Sequence, residues 1–181
     1  MHRFVWDLHW EAPRALESAH PIAAIPHDTP KEPRGPWAVP GLYTVRLTAA
    51  GRTLTRQLRL RMDPRVKTPA AALAQQLALS RRLAQALDQD TELTTEVRKM
   101  RAAGAGPELE ALEGIAEERR PWAKEQPPSL VPWNARLLAM YDTLQSNDLP
   151  PTPQAVRAVE KVLKEAKDLF GRARAELAKY K

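Results

Sequence analysis

Cysteine is absent from the 181-residue sequence. That excludes a disulfide framework, a thiolate metal site and a cysteine nucleophile. Glycine is scarce, at 7 residues, and neither GxGxxG nor GxxxxGKS/T occurs, so neither kind of phosphate-cradling loop is encoded. Serine is sparse and never stands in GxSxG. No apolar run approaches the ~20 residues of a membrane-spanning helix. The opening MHRFVWDLHW has no long apolar core and no small-residue cleavage site, so it does not read as a secretory leader.

Proline, by contrast, is abundant at 17. Lys and Arg number 28 against 22 Asp and Glu, a net charge of +6. The charge is uneven. The first 67 residues carry 11 basic and 6 acidic groups, 68–151 carry 9 and 12, and 152–181 carry 8 and 4. No block is basic enough to demand nucleic acid as a partner.

Phe4-Val5-Trp6-Asp7-Leu8 reads as a short strand. Glu11 to Pro40 holds seven prolines; proline lacks a ladder donor, so this stretch reads as a loop. Pro40-Gly41 suits the centre of a type II turn. Two alternating segments follow. Tyr43, Val45 and Leu47 share one face of the first, and Leu54, Leu58, Leu60 and Met62 one face of the second, with Thr, Gln and Arg opposite. Ala49-Ala50-Gly51 joins them as a hairpin loop.

After Asp63-Pro64 the composition turns to Ala, Leu, Glu and Lys, which places a boundary at about 63–68. Thr68-Pro69 predicts a helix start. The stripe Leu79, Leu83, Ala86, Leu93, Val97, Met100, widened by Leu73, Leu77 and Leu87, carries that helix to about Ala103. Asp90 falls inside the stripe and reads as a rim residue or a break. Pro107 to Arg120 predicts a short helix, Trp133 to Ser146 a third, and Thr152-Pro153 repeats the opening cap. The last helix has the row Val156, Val159, Leu163, Ala166, Phe170, Ala173, Leu177, the spacing of a packed bundle.

The expected fold is therefore α+β: a partial immunoglobulin-like β-sandwich remnant over 1–67, then an antiparallel three- or four-helix bundle over 68–181. Three strands are too few for a sandwich of about seven. The expectation is that strands are missing upstream, that 68–181 is independently helical, and that 1–62 alone is poorly ordered.

Candidate chemistry is thin. His2, His9, His20 and His27 cluster near the start among Asp7, Glu11, Glu17 and Asp28, at spacings that match no metal motif; they read as solvated loop histidines. Glu117 and Glu118 read as exposed helical carboxylates without a cleft. Arg157, Lys161, Lys164, Lys167, Arg172, Arg174 and Lys179 form a basic tail helix. Interspersed Glu165, Asp168 and Glu176, with Glu160→Lys164 at i,i+4, make it a solvated face; an anionic-surface binder is the alternative. Trp10, Trp37, Trp122 and Trp133 read as packing or loop anchors. No catalytic, cofactor-binding or metal residue is assigned, and no cofactor.

RFVWDL at Arg3–Leu8, PGLYTVRLTAAGRTLTRQLRLRMDPRV at Pro40–Val66 and WNARLLAMYDTLQSNDLPPTPQAV at Trp133–Val156 resemble the C-terminal part of secreted bacterial sortilin-like proteins with BNR repeats, a β-propeller family often labelled glycosyl hydrolase. His9 stands where that family usually has Arg. The resemblance implies that repeats and any active site lie in an N-terminal propeller, and that this chain begins inside the immunoglobulin-like unit after it. It also implies an exported, periplasmic or secreted location. No family catalytic residue transfers, because no matching position is present. The expected role is a non-catalytic accessory region whose partners are its own missing propeller and protein or polysaccharide, with no nucleic acid. The alternative is a fragment of a carbohydrate-active hydrolase.

Overall fold

The computed structural model describes residues 3–16, 20, 24–25, 29, 31–115 and 127–180. Within them the chain is α+β, with a two-stranded antiparallel sheet and four helices.

The alternation after Pro40 forms β1 (Gly41–Ala49) and β2 (Arg52–Leu60). They pair from Gly41 opposite Leu60 to Ala49 opposite Arg52. The loop is thus two residues, Ala50 and Gly51, at φ 49° and 73°. Positive φ at both positions matches the right-handed strand twist, and glycine supplies the second without a Cβ penalty. Gly41 has no positive φ. The turn expected at Pro40-Gly41 is instead the entry to β1.

Phe4–Leu8 is not a strand. The Asp7 Oδ1 accepts from His9 N at 3.1 Å, Trp6 Nε1 donates to the His9 carbonyl at 2.7 Å, and Leu8 sits at φ 65°. This side-chain-built turn outcompetes a ladder. The chain then pairs briefly with 36–38: Trp10 N donates to Pro36 O at 2.9 Å and Ala38 N to Leu8 O at 2.8 Å. Gly35 lies under this crossing, where a Cβ would stand 1.8 Å from the Trp10 carbonyl oxygen. The sheet accordingly has two strands where three were expected.

The helices are α1 (Ala70–Ala102), α2 (Pro107–Glu113), α3 (Leu130–Gln145) and α4 (Pro153–Leu177), with a short 3-10 turn over Ala178–Tyr180. Side-chain partners fix their directions. Asp90 of α1 meets Asn134 of α3, and Gln76 meets the carbonyl of Asn147 just past the other end of α3, so these two run antiparallel. Arg136 pairs with Glu165, and Arg172 reaches Pro128 O, which makes α3 antiparallel to α4 as well. Arg82 with Glu160 and Arg174 with Gln89 then show α1 and α4 running parallel. One core joins them, including Leu83, Leu87 and Val97 of α1, Leu109 of α2, Leu137 and Tyr141 of α3, and Val159, Phe170 and Leu177 of α4.

Helix ends depart from expectation at three places. The Thr68 hydroxyl does not cap α1; it donates to the Asp148 carbonyl, tying the start of α1 to the α3–α4 turn, and Pro69 takes the cap position. The second helix stops at Glu113, where Gly114 turns the chain at φ 70°; 116–120, including Glu117 and Glu118, lie outside the described residues. The third begins at Leu130, not Trp133. Thr152 caps α4 as its spacing predicts, accepting from Ala155 N at 3.1 Å. Thr152→Ala should cost about 1 kcal/mol in urea unfolding; an unchanged midpoint would show the cap to be idle.

The proline-rich stretch is strapped to the bundle. Arg14 N donates to Asp88 Oδ1 at 2.6 Å, and the Arg14 carbonyl accepts from Thr91 Oγ1. Tyr141 Oη donates to the Arg34 carbonyl at 2.7 Å, and Trp37 N to Gln145 Oε1 at 2.9 Å.

Candidate interaction surface

Three groups of residues merit weighing as a site: the buried polar cluster of α1 and α3, the aromatic collar at the hairpin base, and the hairpin itself.

Asp90 is fully buried in an unbroken helix, not at a rim. The bundle direction puts it opposite Asn134, whose Nδ2 donates to Oδ1 at 3.0 Å. Its Oδ2 and the Trp133 Nε1 are buried without a hydrogen-bond partner among the described residues. Burial pushes the Asp90 carboxyl up to about 7, against the opposing pull of Asn134 and Thr94. Glu113 shows the reverse balance. Burial would raise it, but hydrogen bonds from the Arg98 and Arg101 guanidiniums outweigh that and hold it below the ordinary range.

In the collar, Tyr43 of β1 rests edge-on against Trp6, with centroids 5.4 Å apart, and near Trp10 at 6.3 Å. The Tyr43 Oη donates to the Val39 carbonyl at 2.6 Å. Arg81 of α1 lies 4.1 Å from the Trp10 ring centre. His9 is not a solvated loop histidine: its ring packs 3.8 Å from that of Trp37, and Nδ1 is 2.9 Å from the Asp7 carbonyl. His20 is exposed, while His2, His27 and Trp122 lie outside the described residues. Among the described residues no group of three or more His, Cys, Asp or Glu is placed to hold a metal. Trp133 is core, as expected, and Trp10 and Trp37 anchor the strap to the hairpin base.

Above the collar the hairpin is bare. Val45, Leu47, Leu54 and Leu58, which the register places on one face, are 49%, 61%, 67% and 41% exposed. Arg56, opposite Val45, and Arg52, opposite Ala49, also stand on this face. Among the described residues each strand has one outer edge without a partner strand. The opposite face consists of Leu42, Thr44, Arg46, Thr48, Thr53, Thr55, Gln57 and Arg59. Cations, hydroxyls and apolar area are groups that bind and dock.

On α4, Glu160 pairs with Arg82 of α1 rather than with Lys164, and the i,i+4 pair present is Lys161–Glu165. No described helix is long and apolar enough to cross a membrane. Compared with family models, curated proteins and solved structures, the chain finds no match.

Proposed function

We propose that this chain is a non-catalytic accessory and interaction region of an exported β-propeller protein of the sortilin-like, BNR-repeat kind, and that further strands complete its hairpin into an immunoglobulin-like sandwich. The observation that carries this reading is the hairpin's exposed apolar face, with two edges that are open among the described residues. A two-stranded ribbon is marginal by itself in water, and an exposed hydrophobic edge is a template for strand addition. The bundle, with its own core, serves as the foundation that holds the ribbon out.

Hydrogen exchange tests this. The outward amides of β1 and β2 should exchange freely in the 181-residue chain. They should slow by about tenfold or more in the longer protein that includes the residues encoded upstream. A gene that encodes no upstream strands, or a longer protein in which these amides exchange as before, overturns the reading.

A further inference from the structure

The ribbon differs from the rest of the surface in one respect. No carboxylate occurs between Glu32 and Asp63, whereas the hairpin and its exit carry Arg46, Arg52, Arg56, Arg59 and Arg61. Among the described residues none of these five makes an ion pair or a side-chain hydrogen bond, while Arg14, Arg65, Arg82, Arg98 and Arg101 all meet carboxylates. Surfaces usually intersperse both signs. Arg52 and Arg56 stand on the apolar face, whereas Arg46 and Arg59 stand on the polar one, with Arg61 next in the alternation just past β2. On the polar face the exposed, unpaired guanidiniums make a cationic track.

We propose that the hairpin's polar face, through Arg46, Arg59 and Arg61, binds an acidic polysaccharide, a linear glycan bearing carboxylate or sulfate groups. The proposal deepens the accessory reading and rests on it for the free orientation of this face, since a sandwich buries one face of a sheet and leaves the other wet. Guanidinium forks match carboxylate and sulfate oxygens two at a time. Arg59 and Arg61 stand about 7 Å apart along the strand direction, and Arg46, opposite Thr55, lies roughly 14 Å beyond Arg59. That spread suits an extended polyanion rather than one small ion. Thr44 and Gln57 lie between Arg59 and Arg46, and Thr55 beside Arg46, where they add hydrogen-bond donors. A second copy is a poor occupant, because two such ribbons would set like charges against each other. Single-stranded nucleic acid calls for aromatic platforms beneath its bases, and the hairpin's one aromatic, Tyr43, is on the other face.

The test titrates the 181-residue chain with heparin, polygalacturonate and a duplex DNA at low salt. The wild type should bind at least one of the two glycans, and more tightly than the DNA. The R46Q/R59Q/R61Q variant should weaken that binding about tenfold or more. The R157Q/K164Q/K167Q variant removes the same charge from α4 and should stay within about twofold of wild type. Circular dichroism confirms that both variants keep their helices. No glycan binding by the wild type, equal losses in both variants, or tighter binding to duplex DNA overturns the proposal. The hairpin variant keeps Val45, Leu47, Leu54 and Leu58, so protection of β1 and β2 in the longer protein is read independently of glycan binding.

Discussion

Asp90→Asn should make the protein's stability less dependent on pH between about 4 and 7. The folded carboxyl titrates near 7 and the unfolded one near 3.9. Between those values the folded state holds a proton that the unfolded chain has released. Asp90 therefore makes stability fall as pH rises through this window and level off above it. The asparagine is uncharged throughout. Subtracting the mutational effect at pH 4 from that at pH 8 should leave about 4 kcal/mol in favour of the variant, the equivalent of roughly three pKa units. The subtraction matters because asparagine leaves an amide where Oδ2 has no partner among the described residues, a cost common to both pH values. Urea unfolding at the two pH values measures the difference. Equal mutational effects at pH 4 and 8 would show that the buried carboxyl finds compensation for its charge.

Phe170→Ala should remove about 3–5 kcal/mol, whereas Leu54→Ala should shift stability by no more than ~0.5 kcal/mol. Both delete a large apolar side chain. Phe170 is 3% exposed at the junction of the helices, and Leu54 is 67% exposed on the ribbon. The contrast measures where the free energy of this fold resides. Comparable losses in urea unfolding would mean that the ribbon's apolar face is already covered within this chain.

Much of the architecture is legible in the residues. Two-residue alternation sets the hairpin faces, and the 3–4 spacing from Val156 to Leu177 sets the buried side of α4. What escapes is decided by side chains acting out of pattern. Asp7 folds the backbone at Leu8 and His9, which no count of β-branched residues reveals. Thr68 has the right neighbour for a cap, but its hydroxyl answers a carbonyl 80 residues away. Asp90 is polar at an apolar position, and only the partner helix, with Asn134, explains its burial. The parallel course of α1 and α4 follows from two antiparallel pairings with α3, which connection length alone does not determine. In the candidate surface, Arg52 and Arg56 stand on the apolar face against the alternation, and the run from 33 to 62 carries no carboxylate. The second was readable as charge segregation within a block whose net charge looked ordinary.

The ribbon leaves and rejoins the molecule at adjacent points, Gly41 beside Leu60. An element attached in this way is a cassette. It can be lengthened, exchanged or excised and its stumps closed by a short turn, so its recognition properties are free to diverge while the scaffold beneath it is inherited intact.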